Sequence, residues 1–431
     1  PRQRWQGRHR LHQTLSRRGF SELSTLAALI GRWGIGGRIV NGTHTGIVQR
    51  PRIILGVGWH WDIFCRVIDN YGDMGVCWRL AQELQQRGHR VRLWTDQPGI
   101  LQWMAPGEAA AVEVVHWVDE GPDLQPGDVV VEAFGCDLPT RFVQAMARAA
   151  RPPVWINLEY LSAEPYVERS HGLASPQLSG PGLGLGKWFF YPGFSASTGG
   201  LLHEPGMMDR LNALDRRERL RALGVDWHPG QAVVTLFAYP QAPLESWLEQ
   251  CAPNRPSSLV AQESTPWLLV AQGPLQGRAQ AWAQSHPGAP WRIGALPWLS
   301  QPQFDELLAC SDWNIVRGED SLVRAIWAGK PFIWHIYEQH DRAHEPKLQA
   351  LLEQLLGSAT PPDRSLLQAP LKQLWWHWNG LSPAGSTWPE WTPELTQAME
   401  RTLSAWRASL LSRESLSAAL ERFVAQKQVA G

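Results

Sequence analysis

Two aspartates four residues apart, Asp69 and Asp73, bracket Asn70-Tyr71-Gly72 directly after the apolar run Ile63 to Ile68. Carboxylates so placed can accept protons, and what lies around them decides whether they do. The apolar run reads as a buried strand. Asp69 to Asp73 is turn chemistry. Gly75 then opens an amphipathic helix with Val76, Leu80 and Leu84 on one face and Gly88 closing it. Strand, glycine-bearing loop and helix start form the junction at which open α/β sheets hold ligands. The plainer alternative is Asp73 as a helix N-cap. A cap uses one carboxylate and leaves the pattern of Asp69, Gly72 and Gly75 unexplained.

A second stretch repeats that logic. Arg317-Gly318-Glu319-Asp320-Ser321 follows the strand-like Trp313 to Val316 and opens a helix over Leu322 to Ala328. First-turn N–H groups and the helix dipole favour an anion, most naturally a phosphate. Arg317 adds a fork-shaped donor and Ser321 a hydroxyl. The acids could face ribose hydroxyls while the N–H groups face phosphate, or could merely cap a helix. By contrast, Gly180 to Lys187 fails as a phosphate-binding P-loop, because Pro181 takes the place of its first glycine and Trp188 that of the Ser or Thr. His335, His340 and His344 with Glu338 and Glu345 lack HExxH spacing, so no metal site is expected.

These residues need a scaffold, and the chain supplies two. With 431 residues it has room for two or three domains. Forty basic residues balance forty acidic ones, which leaves no global field to recruit nucleic acid or membrane. Five scattered cysteines without a CxxC suit a reducing cytoplasm rather than a disulfide framework. Many of the 25 tryptophans should be core filler. No apolar run reaches transmembrane length. Residues 1–58 are Arg-rich with Glu22 as their only acid, and read as a disordered extension outside the fold. Strand and helix signals alternate over 59–205 and again over 206–395, implying two α/β layers, each a Rossmann-like domain with parallel strands. Residues 396–431 read as a helical tail. Ser162 to Gly200 reads as a long loop whose Phe189, Phe190 and Tyr191 line or bury against a cleft.

Two such domains, each presenting a strand-end loop, have the layout of GT-B glycosyltransferases, facing one another across a cleft. The chain resembles the elongation factor P arginine rhamnosyltransferases from about Trp61 to its last helix. The resemblance rests on Phe64-Cys-Arg-Val-Ile-Asp-Asn-Tyr-Gly-Asp73, Phe189-Phe-Tyr-Pro-Gly-Phe194, Leu296-Pro-Trp-Leu-Ser-Gln301, Arg317-Gly-Glu-Asp-Ser321 and Trp334-His-Ile-Tyr337. It implies inverting transfer of L-rhamnose from dTDP-β-L-rhamnose to an arginine of elongation factor P, without cofactor or metal, in the cytoplasm. It further implies that Asp69 and Asp73 are catalytic-loop aspartates, with Asp73 the base, and that Glu319 is an acid important for activity. Phe189 and Tyr191 would flank the sugar, and Gln301 would contact the thymine. Arg317, Asp320, Ser321 and Tyr337 would surround the diphosphate. Trp298 stands where the family has a base-stacking phenylalanine. The alternatives are a transferase or epimerase acting on a small molecule, and a nucleotide-binding scaffold.

Overall fold

The computed structural model describes residues 58–67, 71–107, 112–250, 258–259, 265–339 and 341–429. The expected N-terminal extension, except for Gly58, lies outside the described residues, as do Asp69 and His340.

In the first half of the described chain, β1 (His60–Cys65) is followed by α1 (Gly72–Gln86), β2 (Arg90–Thr95), α2 (Leu101–Met104), β3 (Glu113–His116) and β4 (Val129–Ala133). Then come α3 (Thr140–Arg148), β5 (Val154–Leu158), α4 (Tyr166–Ser170), β6 (Ala174–Pro176), β7 (Gly186–Phe190), α5 (Met207–Asn212) and α6 (Arg216–Ala222). The second sheet begins with β8 (Val233–Leu236), α7 (Leu244–Gln250), β9 (Trp267–Val270), α8 (Pro274–Ser285) and β10 (Arg292–Ala295). It continues with α9 (Gln301–Cys310), β11 (Trp313–Arg317), α10 (Gly318–Ala328) and β12 (Phe332–His335). The chain ends in α11 (His344–Leu356), α12 (Pro361–Trp378), α13 (Pro393–Leu411) and α14 (Leu416–Val429).

The strands form two sheets, in the orders β3-β2-β1-β4-β5-β7-β6 and β10-β9-β8-β11-β12. Among the described residues every pairing is parallel except β6 on β7. Parallel strands covered on both faces bury side chains to each side, as in β1, where Trp61, Ile63 and Cys65 pack on one side and Phe64 on the other. Phe64 sits 4.7 Å from Trp94 and meets Phe142 edge-on. Among the described residues, nine tryptophans are essentially inaccessible, in line with their expected role as core filler. The strand order reverses between β1 and β4 and between β8 and β11. Ligands in such sheets bind at the carboxyl ends of strands beside that reversal. Both motif loops therefore occupy switch points: one follows β1, the other follows β11.

Four sequence expectations change. The strand read over Ile63 to Ile68 lies earlier, because the ladders to β2 and β4 take up Trp61 to Phe64, with His60 and Cys65 pairing to β2 as well. Val67 has left the ladder and donates its N–H to Asp96 Oδ1 at 3.1 Å. The stretch read as a loop from Ser162 to Gly200 contains β6 and β7, and β7 extends the sheet beside β5. Its glycine-rich approach hid it. The Pro- and Trp-rich stretch between Leu356 and Pro393 reads as loop, yet it contains α12, with Pro361 and Pro362 in the first turn, where a missing N–H costs nothing, and Pro370 inside. Buried Leu367, Leu371, Leu374, Trp375 and Trp378 show the helical period that outweighs it. Finally, the residues read as a tail divide between the layers. Leu395, Ala398, Met399, Leu403 and Trp406 of α13 join the second sheet's core, whereas Leu416, Leu420, Phe423 and Val424 of α14 join the first.

The return of α14 to the first sheet has a pH signature. Ser417 Oγ on α14 donates to Glu83 Oε1 of α1 at 2.6 Å in a buried contact. Burial, opposed by that hydrogen bond and reinforced by Glu204, raises the Glu83 carboxyl from 4.5 to about 7. The folded state thus holds a proton that the unfolded chain releases above about 4.5, so this group's contribution falls as pH rises to about 7 and is level beyond. Glu83→Gln keeps the acceptor and removes the titration. Its melting temperature should fall less than the parent's between these pH values, and thermal melts across that window check this.

Candidate active site

Helix α1 begins at Gly72, so Asp73 lies within its first turn and is not the N-cap. That position belongs to Tyr71, whose side chain makes no capping bond. Gly75 lies a turn inside and does not open the helix. Asp73 is 4% exposed, and its carboxylate in the first turn is favoured by the helix dipole. Val76, three residues on and hence a neighbour on the helix surface, lines a cleft between the sheets.

That cleft is bordered by Val76, Phe134, Glu159, Glu319, Asp320 and Val323, among others. Glu159 follows the last residue of β5, and its carboxyl is raised to about 7, by burial first and then by Glu132, against Lys187 and the 2.6 Å hydrogen bond from Asn157. Glu319 accepts from the Leu161 N–H at 2.7 Å and pairs with Lys347 at 2.9 Å. Partly buried carboxylates from both sheets, Glu159 on one side and Glu319 and Asp320 on the other, border this cleft, a setting complementary to a cation. Tyr191 and Tyr166 meet edge-on at 5.9 Å, and burial pushes both phenols up, with Glu159 adding to the effect. The β7 alternation sends Phe190 into the core against Phe423 and puts Phe189 on the opposite face.

A second recess opens at the carboxyl ends of the second sheet's strands, lined by Phe237, Ala238, Gln272, Gly273 and Arg317. The Arg317 guanidinium lies 4.5 Å from the Phe237 ring centre and 4.8 Å from that of Tyr239, so cation–π contact holds the fork in place. Gly318 turns the chain with φ of 66°, a conformation suited to glycine. Ser321 donates its hydroxyl to the Arg317 carbonyl. His335 accepts the Tyr239 N–H at 3.2 Å, and burial, then Arg317, lowers its imidazole to about 3. It is therefore neutral, and Arg317 carries the positive charge here. His344 likewise accepts a backbone N–H, from Gln339. Tyr337 is half exposed and meets Tyr239 edge-on at 5.6 Å.

Three positions sit differently from what a purely ligand-binding role requires. Gln301 Nε2 donates to the Gly75 carbonyl at 2.9 Å, which ties α9 to α1. Asp320 Oδ1 is 3.1 Å from Arg79 Nε, so this carboxylate is engaged by α1 rather than turned wholly to a ligand. Trp298 packs 4.4 Å from Trp103 and edge-on to Tyr71, across the sheets, while staying 46% exposed.

With the geometry in place, similarity to known proteins decides the family. Residues 61–425 match the family described as Elongation-Factor P (EF-P) rhamnosyltransferase EarP. The chain belongs to that family. The protein-arginine rhamnosyltransferase of Pseudomonas putida is 41% identical over 391 residues, 84% of this chain and 98% of its own. That of Pseudomonas aeruginosa is 40% identical over 368 residues, covering 80% and 92%. A solved structure described as the structural basis for EarP-mediated arginine glycosylation of translation elongation factor EF-P matches with a TM-score of 0.56 and 29% identity, covering 85% of this chain and 99% of that one. This family member is an enzyme, a glycosyltransferase with two Rossmann-like sheets in the GT-B arrangement.

Sequence reading had passed over Glu159, although it stands at a strand end like the two motif loops. It also missed Trp103, Tyr239 and Arg79. Arg79 carried one signal: an arginine with Cys77, Trp78, Leu80 and Ala81 around it must be buried and paired. At Gly75, α1 lies close against α9 and α10. A Cβ there would stand 3.2 Å from both Asp320 Oδ2 and Gln301 Nε2. Gly75→Val is therefore expected to cost about 1–3 kcal/mol of stability by overpacking, read as a lowered denaturation midpoint.

Proposed function

We propose that this enzyme transfers L-rhamnose from dTDP-β-L-rhamnose to one arginine side chain of elongation factor P, with inversion and without a metal or other cofactor, in the cytoplasm. The observation that carries this reading is the pair of sites at the two switch points. A cleft bordered by Glu159, Glu319 and Asp320, with Asp73 one turn before its lining residue Val76, suits a guanidinium, and the Arg317 recess suits a diphosphate. In the reaction, a guanidinium nitrogen attacks the anomeric carbon, the bond from that carbon to the phosphate oxygen breaks, and dTDP leaves. The proton lost from nitrogen passes to a carboxylate, a role we assign to Asp73, with Asp69 four positions before it in sequence.

A guanidinium is a poor nucleophile because it is protonated and delocalised. Flanking carboxylates can localise its charge and take a proton as the C–N bond forms. Arg317 and the first-turn N–H groups of α10 would stabilise the leaving diphosphate, while the Ser321 hydroxyl, donated to the Arg317 carbonyl, braces that turn. The exposed face of Trp298 would stack on the thymine, with Gln301 near its edge, Phe189 and Tyr191 beside the sugar, and Tyr337 and Asp320 near the phosphates. Balanced charge and free, buried described cysteines are compatible with a reducing compartment and a partner chosen by shape rather than field. Among the described residues no helix is long and apolar enough to cross a membrane.

The competing reading is a small-molecule acceptor. Incubation with dTDP-L-rhamnose and either elongation factor P or free arginine separates the two. Rhamnosylated protein without rhamnosyl-arginine supports the proposal. Turnover of free arginine at the same rate sinks the protein-acceptor part of it.

A further inference from the structure

Five charged side chains meet between the sheets, and only one comes from the first. Arg79 of α1 is 3% exposed. Its Nη2 and Nη1 fork onto Asp305 Oδ1 and Oδ2 at 2.8 and 3.0 Å. Nη1 also reaches Glu204 Oε1 at 3.1 Å, and Nε lies 3.1 Å from Asp320 Oδ1. Arg324 of α10 closes the other side, 2.7 Å from Glu204 Oε2 and 3.8 Å from Asp320 Oδ1. Asp305 belongs to α9 and Asp320 to the first turn of α10, while Glu204 sits in the segment joining the sheets. Burial alone would favour neutral groups, but three carboxylates around Arg79 hold its guanidinium charged, and the two arginines hold Glu204 ionised.

A buried ion cluster is weak evidence for stability, since well-packed apolar replacements often do as well. What a planar fork supplies and an apolar side chain cannot is orientation. Arg79 lies six residues after Asp73 on one helix, about 9 Å along its axis at the usual rise. Asp320 lies between Glu319 and Ser321, in the turn that follows Arg317. We propose that Arg79 is a positioning residue: it registers the helix that carries the acceptor-side carboxylate against the helix start that holds the donor. Gly75 lets the same two helices touch, and the fork fixes where along their lengths they do so. This rests on the proposed function for the identity of the reaction, and on the geometry alone for the register.

The test uses Arg79→Met combined with Asp305→Leu, which removes fork and partner together so that no carboxylate loses its only counter-ion, alongside Arg79→Lys. Transfer kcat is expected to fall about 10²-fold in the double variant, the scale of a misplacement of about 1 Å, while donor affinity and melting temperature stay close to the parent's. Lysine, which cannot fork, should not restore kcat. Independently, spin labels at Arg148→Cys on α3 and Ala281→Cys on α8, both exposed positions, should give one sharp distance in the parent and a broadened distribution in the double variant. A folded double variant with parental kcat and an unchanged distance distribution overturns the proposal. Should the parent itself not transfer rhamnose, the functional reading fails and the distance measurement alone decides the positioning role.

Discussion

Asp73→Asn is expected to lower rhamnose transfer by about 10²–10⁴-fold, the range that general-base groups contribute, while leaving donor binding intact. The substitution is nearly isosteric at a buried first-turn position, so the fold should survive the loss of a helix-dipole interaction worth about 0.3–1 kcal/mol. Single-turnover kinetics with donor in excess, paired with calorimetric titration of the donor, separates the two quantities. Loss of transfer together with loss of donor affinity would instead place Asp73 in the donor site. Full activity would move the base to Asp69 or Glu159.

The second large effect is expected at Arg317. Its guanidinium is fixed over Phe237 and Tyr239, beside a histidine that burial and Arg317 itself keep neutral. No neighbouring imidazolium can take over the charge. Removing one preorganised donor from a leaving-group site typically costs about 10²–10³-fold, and Arg317→Ala should lose that much in kcat/KM for the donor. Arg317→Lys should recover little, because an ammonium neither forks nor stacks like a guanidinium. Steady-state kinetics over donor concentration at saturating elongation factor P measures it. An unchanged kcat/KM in both variants would remove Arg317 from the diphosphate site.

The two motif loops were legible because each combines short-range signals: an apolar run, a glycine, acids and the start of a helical period. Those signals report local structure, so they located the junctions after β1 and β11 without placing them relative to each other. The role of Asp320 shows the limit. Its sequence neighbours suggest a ligand at a helix start, yet its carboxylate meets Arg79, 241 positions earlier in the chain. Trp298 shows the same: an aromatic ring suited to stacking already has Trp103 and Tyr71 against it. Strand β7 escaped because it is short, only partly buried up to Phe190 and approached through glycines, so neither alternation nor length announced it. Helix α12 escaped because proline weighs heavily in local reading, while the buried leucines and tryptophans that hold the helix act through tertiary packing. The last helix reads as an appendage until its apolar face is seen against the first sheet.

The most direct measurement is the intact mass of elongation factor P after incubation with this enzyme and dTDP-L-rhamnose, followed by peptide mapping of the product. One added deoxyhexose, on a single arginine, is the predicted result. Unmodified elongation factor P in the presence of bound, unconsumed donor would contradict the account.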